Sequence, residues 1–288
     1  MPAAPTNWSC HLLEPSSRYV CDDGQVALEH GAWHRAWPRG SAYFVGDSLT
    51  LQHFHAFACG LLADVPAPPL PRDVALESQC VTRRDGADAG RVCQLFAGTA
   101  LSGVSTGAAL RNLSRANLLQ PGDVVVANEG LWRRAYSADP FEELSRVREL
   151  DGPTVHAIHA AGASLFWRET TAQHFDISPN GLFKPACKIE DCGECGPVRN
   201  VTALVSLNAL ISAEIEARGV RVLPVFNRSL FMSDQHVARR SHYVRQKRIL
   251  DCTHFCAPSP LFSSLTPMIL EAAGRAAGRA QQLAQPAQ

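Results

Sequence analysis

The chain has 288 residues, 46% of them hydrophobic and 19% charged, enough to bury a full core as one large domain spanning 1–288. Its 27 acidic and 27 basic residues cancel, so no overall pull toward nucleic acid or an anionic membrane is expected, and nucleic acid is not an expected partner. Neither a glycine-rich Rossmann fingerprint nor a P-loop signature is present, which argues against a nucleotide held in either of those ways.

The N-terminus, Met1-Pro2-Ala3-Ala4-Pro5-Thr6, has no basic region followed by an apolar core, and no run reaches membrane-spanning length. Any membrane anchor is therefore expected outside this chain. The first strand is the apolar run Ala42 to Val45, which ends in Gly46-Asp47-Ser48. A helix follows from Leu49 to Leu62, with Phe54, Phe57, Leu61 and Leu62 at helix-like spacing, and then a proline-rich loop from Pro66 to Pro71. Ser48 is thus expected at a strand-to-helix turn. A second strand, Asp123 to Ala127, follows the turn dipeptide Pro121-Gly122 and delivers Asn128 at its carboxyl end. A third runs from Ala163 to Trp167. The clearest helix spans about Thr202 to Arg218, with Leu204, Leu207, Ile211 and Ile215 on one face and Gly219 as its stop, and the strand Val220 to Val225 follows at once. Asp251-Cys252-Thr253-His254 is expected in a loop, followed by a last helix from about Leu265 to Gly274. The Ala/Gln-rich tail, about 276–288, is expected to fray.

Strands alternating with helices imply an α/β fold, a mostly parallel sheet flanked by helices, with reactive groups at the carboxyl ends of the strands. Ser48 and Asn128 fall there. A serine hydroxyl is a poor nucleophile at neutral pH. It needs an imidazole to take its proton and a carboxylate to orient that imidazole, and Ser48, His254 and Asp251 offer all three groups. An oxyanion also needs donors, which the Ser48 backbone N–H, the Asn128 amide and a glycine N–H could supply. His53 and His55 are alternative bases but read first as helix-face residues. Arg168 and His174 either contact sugar or donor, or make a structural ion pair or loop-anchoring hydrogen bond. Trp132 and Trp167 either stack on sugar or pack in the core.

Ten cysteines, at 10, 21, 59, 80, 93, 187, 192, 195, 252 and 256, form an even set that suits disulfides in an oxidising compartment. The alternative is buried thiols or a zinc site using Cys187, Cys192 and Cys195. No metal is otherwise expected. Four of the eight asparagines, Asn7, Asn112, Asn200 and Asn227, stand in Asn-x-Ser/Thr sequons, which also points to the secretory pathway. Disulfides at Cys252 and Cys256 would pin the segment carrying His254 to the body of the fold.

Four strings carry a resemblance: Phe44-Val45-Gly46-Asp47-Ser48-Leu49, Asn128-Glu129-Gly130-Leu131-Trp132, the run from Phe166 to Phe175, and Asp251-Cys252-Thr253-His254-Phe255-Cys256-Ala257-Pro258. Over about Cys10 to the final helix the chain resembles the trichome birefringence-like proteins of the PC-esterase branch of the SGNH superfamily. The resemblance implies an SGNH-hydrolase-like, disulfide-stapled fold and a Golgi O-acyltransferase that moves acetyl groups onto polysaccharide hydroxyls. Carried over by position, Ser48 is the nucleophile, Asp251 and His254 complete the triad, and Asn128 helps form the oxyanion hole with Gly98 as the glycine donor. Arg168, His174 and Trp132 are the candidate substrate contacts. Two positions depart from the plant pattern, Leu51 where arginine is usual and Phe54 where tryptophan is usual. The expected partners are a polysaccharide or glycan acceptor and a small acyl donor used as co-substrate, with no bound cofactor. Acetyl-CoA suits the donor role, although the chain carries no motif for it. An esterase or deacetylase using the same triad with water, and a glycan-binding pseudoenzyme, are the alternative functions.

Overall fold

A computed structural model describes residues 40–61, 63–83, 90–99, 103–136, 142–183, 194–244, 247–256 and 259–284. Cys10, Cys21, Cys187, Cys192, Asn7 and the N-terminal segment lie outside the described residues. In chain order the elements are β1 Ala42–Gly46, α1 Ser48–Gly60, β2 Ala63–Ala67, β3 Ser78–Arg83, β4 Val92–Phe96, α2 Thr106–Arg115 and β5 Val124–Ala127. There follow α3 Leu131–Tyr136, α4 Glu142–Val147, α5 Gly152–Ala160, β6 Ser164–Arg168, α6 Thr202–Glu216, β7 Arg221–Leu223 and α7 Phe226–Ser229. The last are β8 His236–Val244, β9 Lys247–Phe255, α8 Pro260–Ser263 and α9 Thr266–Ala284.

Seven strands form one sheet in the order β2-β3-β4-β1-β5-β6-β7. The five from β4 to β7 are parallel, and β2 and β3 extend the sheet antiparallel. The central strands read as continuous apolar runs because both faces are covered: AYFVG in β1 and VVVA in β5 are buried throughout. Alternation then divides the core. Tyr43, Val45, Val125, Ala127, Leu165 and Trp167 pack with residues of α2, α5 and α6, whereas Phe44, Val124, Val126 and Phe166 pack with α1 and α9 on the other face. Each fully buried large side chain contributes about 1.5–3 kcal/mol, so truncating Phe44, 0% exposed, would cost about 3–5 kcal/mol with its cavity.

Helix starts follow capping chemistry. Asp47 accepts from the Leu49 and Thr50 N–H groups, Ser105 from Ala108, and Asp151 from Thr154 ahead of α1, α2 and α5. The α6 helix ends before Gly219, as its sequence predicts, and α9 continues to Ala284 instead of stopping near Gly274 and fraying from Ala276. Another correction concerns the proline-rich stretch, since Pro66 lies inside β2. As an edge strand β2 tolerates a residue with no N–H to give. The opposite edge, β7, is only three residues long.

Two disulfides join pairs of described residues. Cys80–Cys93 joins directly paired positions of β3 and β4, and Cys195–Cys252 ties β9 to the segment beside Phe175. Cys59 and Cys256 are also disulfide-bonded, and no cysteine among the described residues is free. With Cys195 paired to Cys252, the zinc set that would have used it is ruled out as drawn. Among the described residues no helix is long and apolar enough to cross a membrane.

Taken in sequence order, the parallel strands run second, first, third, fourth, fifth across the sheet, so the winding reverses beside β1. In open α/β sheets that reversal opens a crevice at the carboxyl ends of the strands, and β1 delivers Ser48 to it.

Candidate active site

Ser48 is the first residue of α1. The turn that places it is tight: a Cβ on Gly46 would stand 2.4 Å from Thr50 Oγ1 and 2.7 Å from the Asn128 carbonyl oxygen. Only glycine lets β1 pass so close to β5 before turning into the helix. The Ser48 backbone N–H, one of the unpaired donors of a helix start, has no hydrogen-bond partner among the described residues.

The other two groups come from β9. His254 Nε2 lies 2.7 Å from Ser48 Oγ, and His254 Nδ1 lies 2.7 Å from Asp251 Oδ2. Asp251 and His254 are three apart, and in a regular strand such residues face opposite sides. Here the strand is bulged. Between the pairs His236↔Phe255 and Ala238↔Asp251, β8 advances from 236 to 238 while β9 advances from 251 to 255. Asp251 Oδ1 closes the resulting turn by accepting from the Thr253 and His254 N–H groups at 3.1 and 2.9 Å. The four-residue motif therefore sits at the end of a strand, where the sequence predicts a loop. Burial by itself would raise the Asp251 carboxyl, but the hydrogen bond and charge of His254 and the two N–H groups outweigh it and bring it down to about 2. An ionised carboxylate on Nδ1 leaves Nε2 facing the serine, so the arrangement can take the hydroxyl proton and hold the charge that results.

Beside Ser48 lies a buried polar layer. Arg168, 0% exposed at the end of β6, donates to Asn128 Oδ1 at 2.9 Å and to Thr50 Oγ1 at 3.2 Å, with its guanidinium over the Phe262 ring. Burial lowers Arg168 to about 10 against the raising influence of Asp47. Asp47 is itself raised by burial, offset by the Arg168 charge and the Leu49 and Thr50 N–H groups. These opposite charges compensate each other across the layer without direct contact.

No protein-family model matches the chain, and no curated protein matches it. Among solved structures it is similar to a Bacillus subtilis protein at 13% identity and a TM-score of 0.41, over 86% of this chain and 58% of that one. It is similar to a carbohydrate acetylesterase from Sinorhizobium meliloti at 14% identity and a TM-score of 0.37, over 85% and 99% of the two chains. A third likeness is to an alpha/beta hydrolase enzyme from the metagenome of Lake Arreo, Spain, at 15% identity and a TM-score of 0.38, over 82% and 95%. Likenesses this distant leave the function to be read from the residues of the site.

Several expected site residues take other places. Asn128, expected as an oxyanion donor, gives its amide hydrogens to the Arg168 carbonyl at 2.8 Å and to Thr170 Oγ1 at 3.2 Å, so it joins β5 to β6. The Gly98 N–H is likewise engaged, by the Val104 carbonyl at 2.8 Å. Ser48 N–H remains as the open donor. Arg168 and His174 are both fully buried and serve as anchors, not as surfaces for sugar. Trp132 is half-buried at the rim of the α1 core with Leu51, Met232 and Met268, and Trp167 is core. His53 is buried with neither ring nitrogen hydrogen-bonded, held well below the ordinary imidazole range by burial and by the Arg168 charge.

The residues that hold β9 in place are not among those the sequence singles out. Gln52 lies one helical turn after Ser48. It donates to the Phe255 carbonyl at 2.5 Å and accepts from the Phe255 N–H at 3.1 Å, clamping the peptide next to His254 onto α1. Gln173 donates to Thr253 Oγ1 at 2.8 Å, and the His174 N–H donates to the Cys252 carbonyl at 2.9 Å. The four-residue spacing from Ser48 to Gln52 could have placed Gln52 on the serine face of α1. No sequence signal pairs Gln173 with Thr253.

Proposed function

We propose that the chain is a serine-dependent acyl-transfer enzyme. It moves acetyl groups from a small donor to hydroxyls of a polysaccharide or glycan through an acyl-serine. The observation that carries the chemistry is the unbroken Ser48–His254–Asp251 hydrogen-bond chain at the carboxyl ends of the parallel strands. The resemblance to the PC-esterase branch supports the acceptor class. His254 takes the Ser48 proton as Oγ attacks the donor acyl carbon, and the oxyanion forms at the N-terminus of α1 with the Ser48 N–H as its donor. His254 then returns the proton to the departing group, a sugar hydroxyl, deprotonated in turn by His254, attacks the ester, and the acyl–Oγ bond breaks as His254 gives that proton back to Ser48 Oγ. Asp251 holds the imidazole tautomer and stabilises the imidazolium. The disulfides support an oxidising compartment, and with the sequons they favour the secretory pathway, the Golgi lumen by family resemblance.

The test is mass spectrometry of the Ser48 peptide after brief exposure to an activated acetyl donor, with and without polysaccharide. Acetyl that forms on Ser48 and moves to glycan supports the transferase. Acetyl lost only to water makes the protein an esterase with the same triad. A folded, oxidised protein that forms no adduct would sink both and leave the glycan-binding reading.

A further inference from the structure

On the main-chain side of His254 two buried imidazoles stand in line. His236 Nδ1 lies 3.0 Å from the His254 carbonyl oxygen, His236 Nε2 lies 2.6 Å from His174 Nδ1, and His174 Nε2 lies 3.3 Å from the Leu230 carbonyl oxygen. Both rings are fully covered, His174 at 0% and His236 at 2% exposure. Each of the three contacts is a hydrogen bond only when one hydrogen occupies it, because a carbonyl oxygen can only accept and two bare ring nitrogens repel. Two neutral imidazoles bring two hydrogens to three contacts. A neutral pair therefore leaves one contact unmade, and a pair with one added proton makes all three.

Geometry selects the open contact. Hydrogens on Nδ1 of both rings fill the two shorter contacts and leave His174 Nε2 bare toward Leu230, the longest of the three. The opposite assignment, with both hydrogens on Nε2, would turn a bare His236 Nδ1 toward the His254 carbonyl and release it. We propose that His236, kept in its Nδ1–H form by His174, is a positioning residue for His254, and that the pair binds a single proton, at His174 Nε2. The proposal rests on the reading of His254 as general base. His236 holds the carbonyl of the His254–Phe255 peptide, while Gln52 accepts from the N–H of that same peptide and donates to the Phe255 carbonyl, so loss of either grip lets the imidazole swing away from Ser48 Oγ.

The surroundings fix when the proton is taken. Burial is the largest influence and holds both rings below the ordinary imidazole range, His236 at about 3. For His174 the carbonyls of Leu230 and Ser229 and the charge of Asp234, in the turn before β8, favour the proton. For His236 the charge of His174 opposes it, the His254 carbonyl and Asp251 favour it, and the His254 ring opposes it. At pH 7 the pair is accordingly neutral, and a charge on one ring discourages a charge on the other.

The test is NMR of the full, disulfide-bonded chain with 15N-labelled histidine, the two rings assigned through His174→Asn and His236→Asn. At pH 7 both rings should be neutral with the hydrogen on Nδ1, and on acidification only His174 should gain a second hydrogen before the protein unfolds. A hydrogen on His236 Nε2 at pH 7, or both rings charging together, would overturn the proposal. Acylation of Ser48 by an activated acetyl ester gives the functional readout. In His236→Asn the amide can take the place of Nδ1 and still donate to the His254 carbonyl, so the acylation rate should stay within about threefold of wild type. His236→Phe should lose about tenfold or more with KM little changed, since misplacing a catalytic group by a fraction of an ångström has costs of that order. Equal losses in the two variants would reduce His236 to packing and end the proposal. If His236→Phe does not fold, the wild-type spectrum decides. Absence of acylation in wild type would count against the acyl-transfer reading alone, because the tautomer result does not depend on activity.

Discussion

Ser48 stands where the central sheet ends, whereas Asp251 and His254 reach it from a two-stranded arm outside that sheet. On the serine side the position follows from packing: a strand buried on both faces, a glycine with no room for a Cβ, and a capping carboxylate balanced by a buried guanidinium. On the histidine side a bulged hairpin is held by a disulfide, two glutamine amides and a histidine pair. One half of the site is thus part of the packed sheet, and the other is a hairpin fastened to it by discrete bonds and by the buried Phe255.

The largest effect should come from breaking the link between the two sides. Ser48→Ala and His254→Ala should each lower acyl transfer by about 10⁴-fold or more with unchanged far-UV circular dichroism, and Asp251→Asn should come close to that loss. Asp251 also marks the arm by its titration. Its folded-state carboxyl is depressed to about 2, below the ordinary value of about 3.9. The stability it contributes is therefore full above pH ~4 and is lost as pH falls toward ~2. Acid unfolding followed in Asp251→Asn should lack that dependence.

Removing the charge that balances Asp47 tests the packed side. Arg168→Met should destabilise the whole protein by about 3–5 kcal/mol in chemical denaturation, because the buried Asp47 carboxylate loses the largest charge that offsets its burial. A variant that folded with wild-type stability would show that Asp47 is not held by Arg168.

The disulfides sharpen the contrast. Both double replacements, Cys195→Ala with Cys252→Ala and Cys80→Ala with Cys93→Ala, should each lose about 2–4 kcal/mol of stability. In protein kept below its unfolding range, the first should lower acylation by about tenfold and the second by less than about twofold, since one staple holds the arm and the other an outer part of the sheet. Equal activity loss in both would erase the distinction. The smallest effect is expected for Gln52→Ala, about fivefold in acylation rate with KM little changed, because His236 and the disulfide still hold β9.

The packed side was the more legible in sequence for the same physical reason. The strands β1, β5 and β6 and the helices α1 and α6 fall within a few residues of their expected bounds, because runs buried on both faces and apolar helical stripes are local signals. Strands β8 and β9 carry no such local signal. Their sequences, HVARRSHYV and KRILDCTHF, carry charges throughout and have no clean alternation. Pro66 hides strand β2, and β3 and β4 do not stand out from the sequence around them. Within the site, Ser48, Asp251 and His254 were legible as a set of reactive groups. The inward turn of Asn128, Arg168 and His174 was not, because it depends on what distant segments cover: Arg168 meets Thr50, and His174 meets His236. No window of sequence contains both members of either pair.

The two ends of the central sheet bear on how the molecule behaves at high concentration. An exposed strand edge is a template on which another copy can add a strand, and such pairing is a route to aggregation. At one end Pro66 offers no N–H to an incoming chain, and at the other β7 offers only three residues. Among the described residues neither rim gives a second molecule a long, regular row of partners, so the backbone itself disfavours strand-by-strand self-association at both ends.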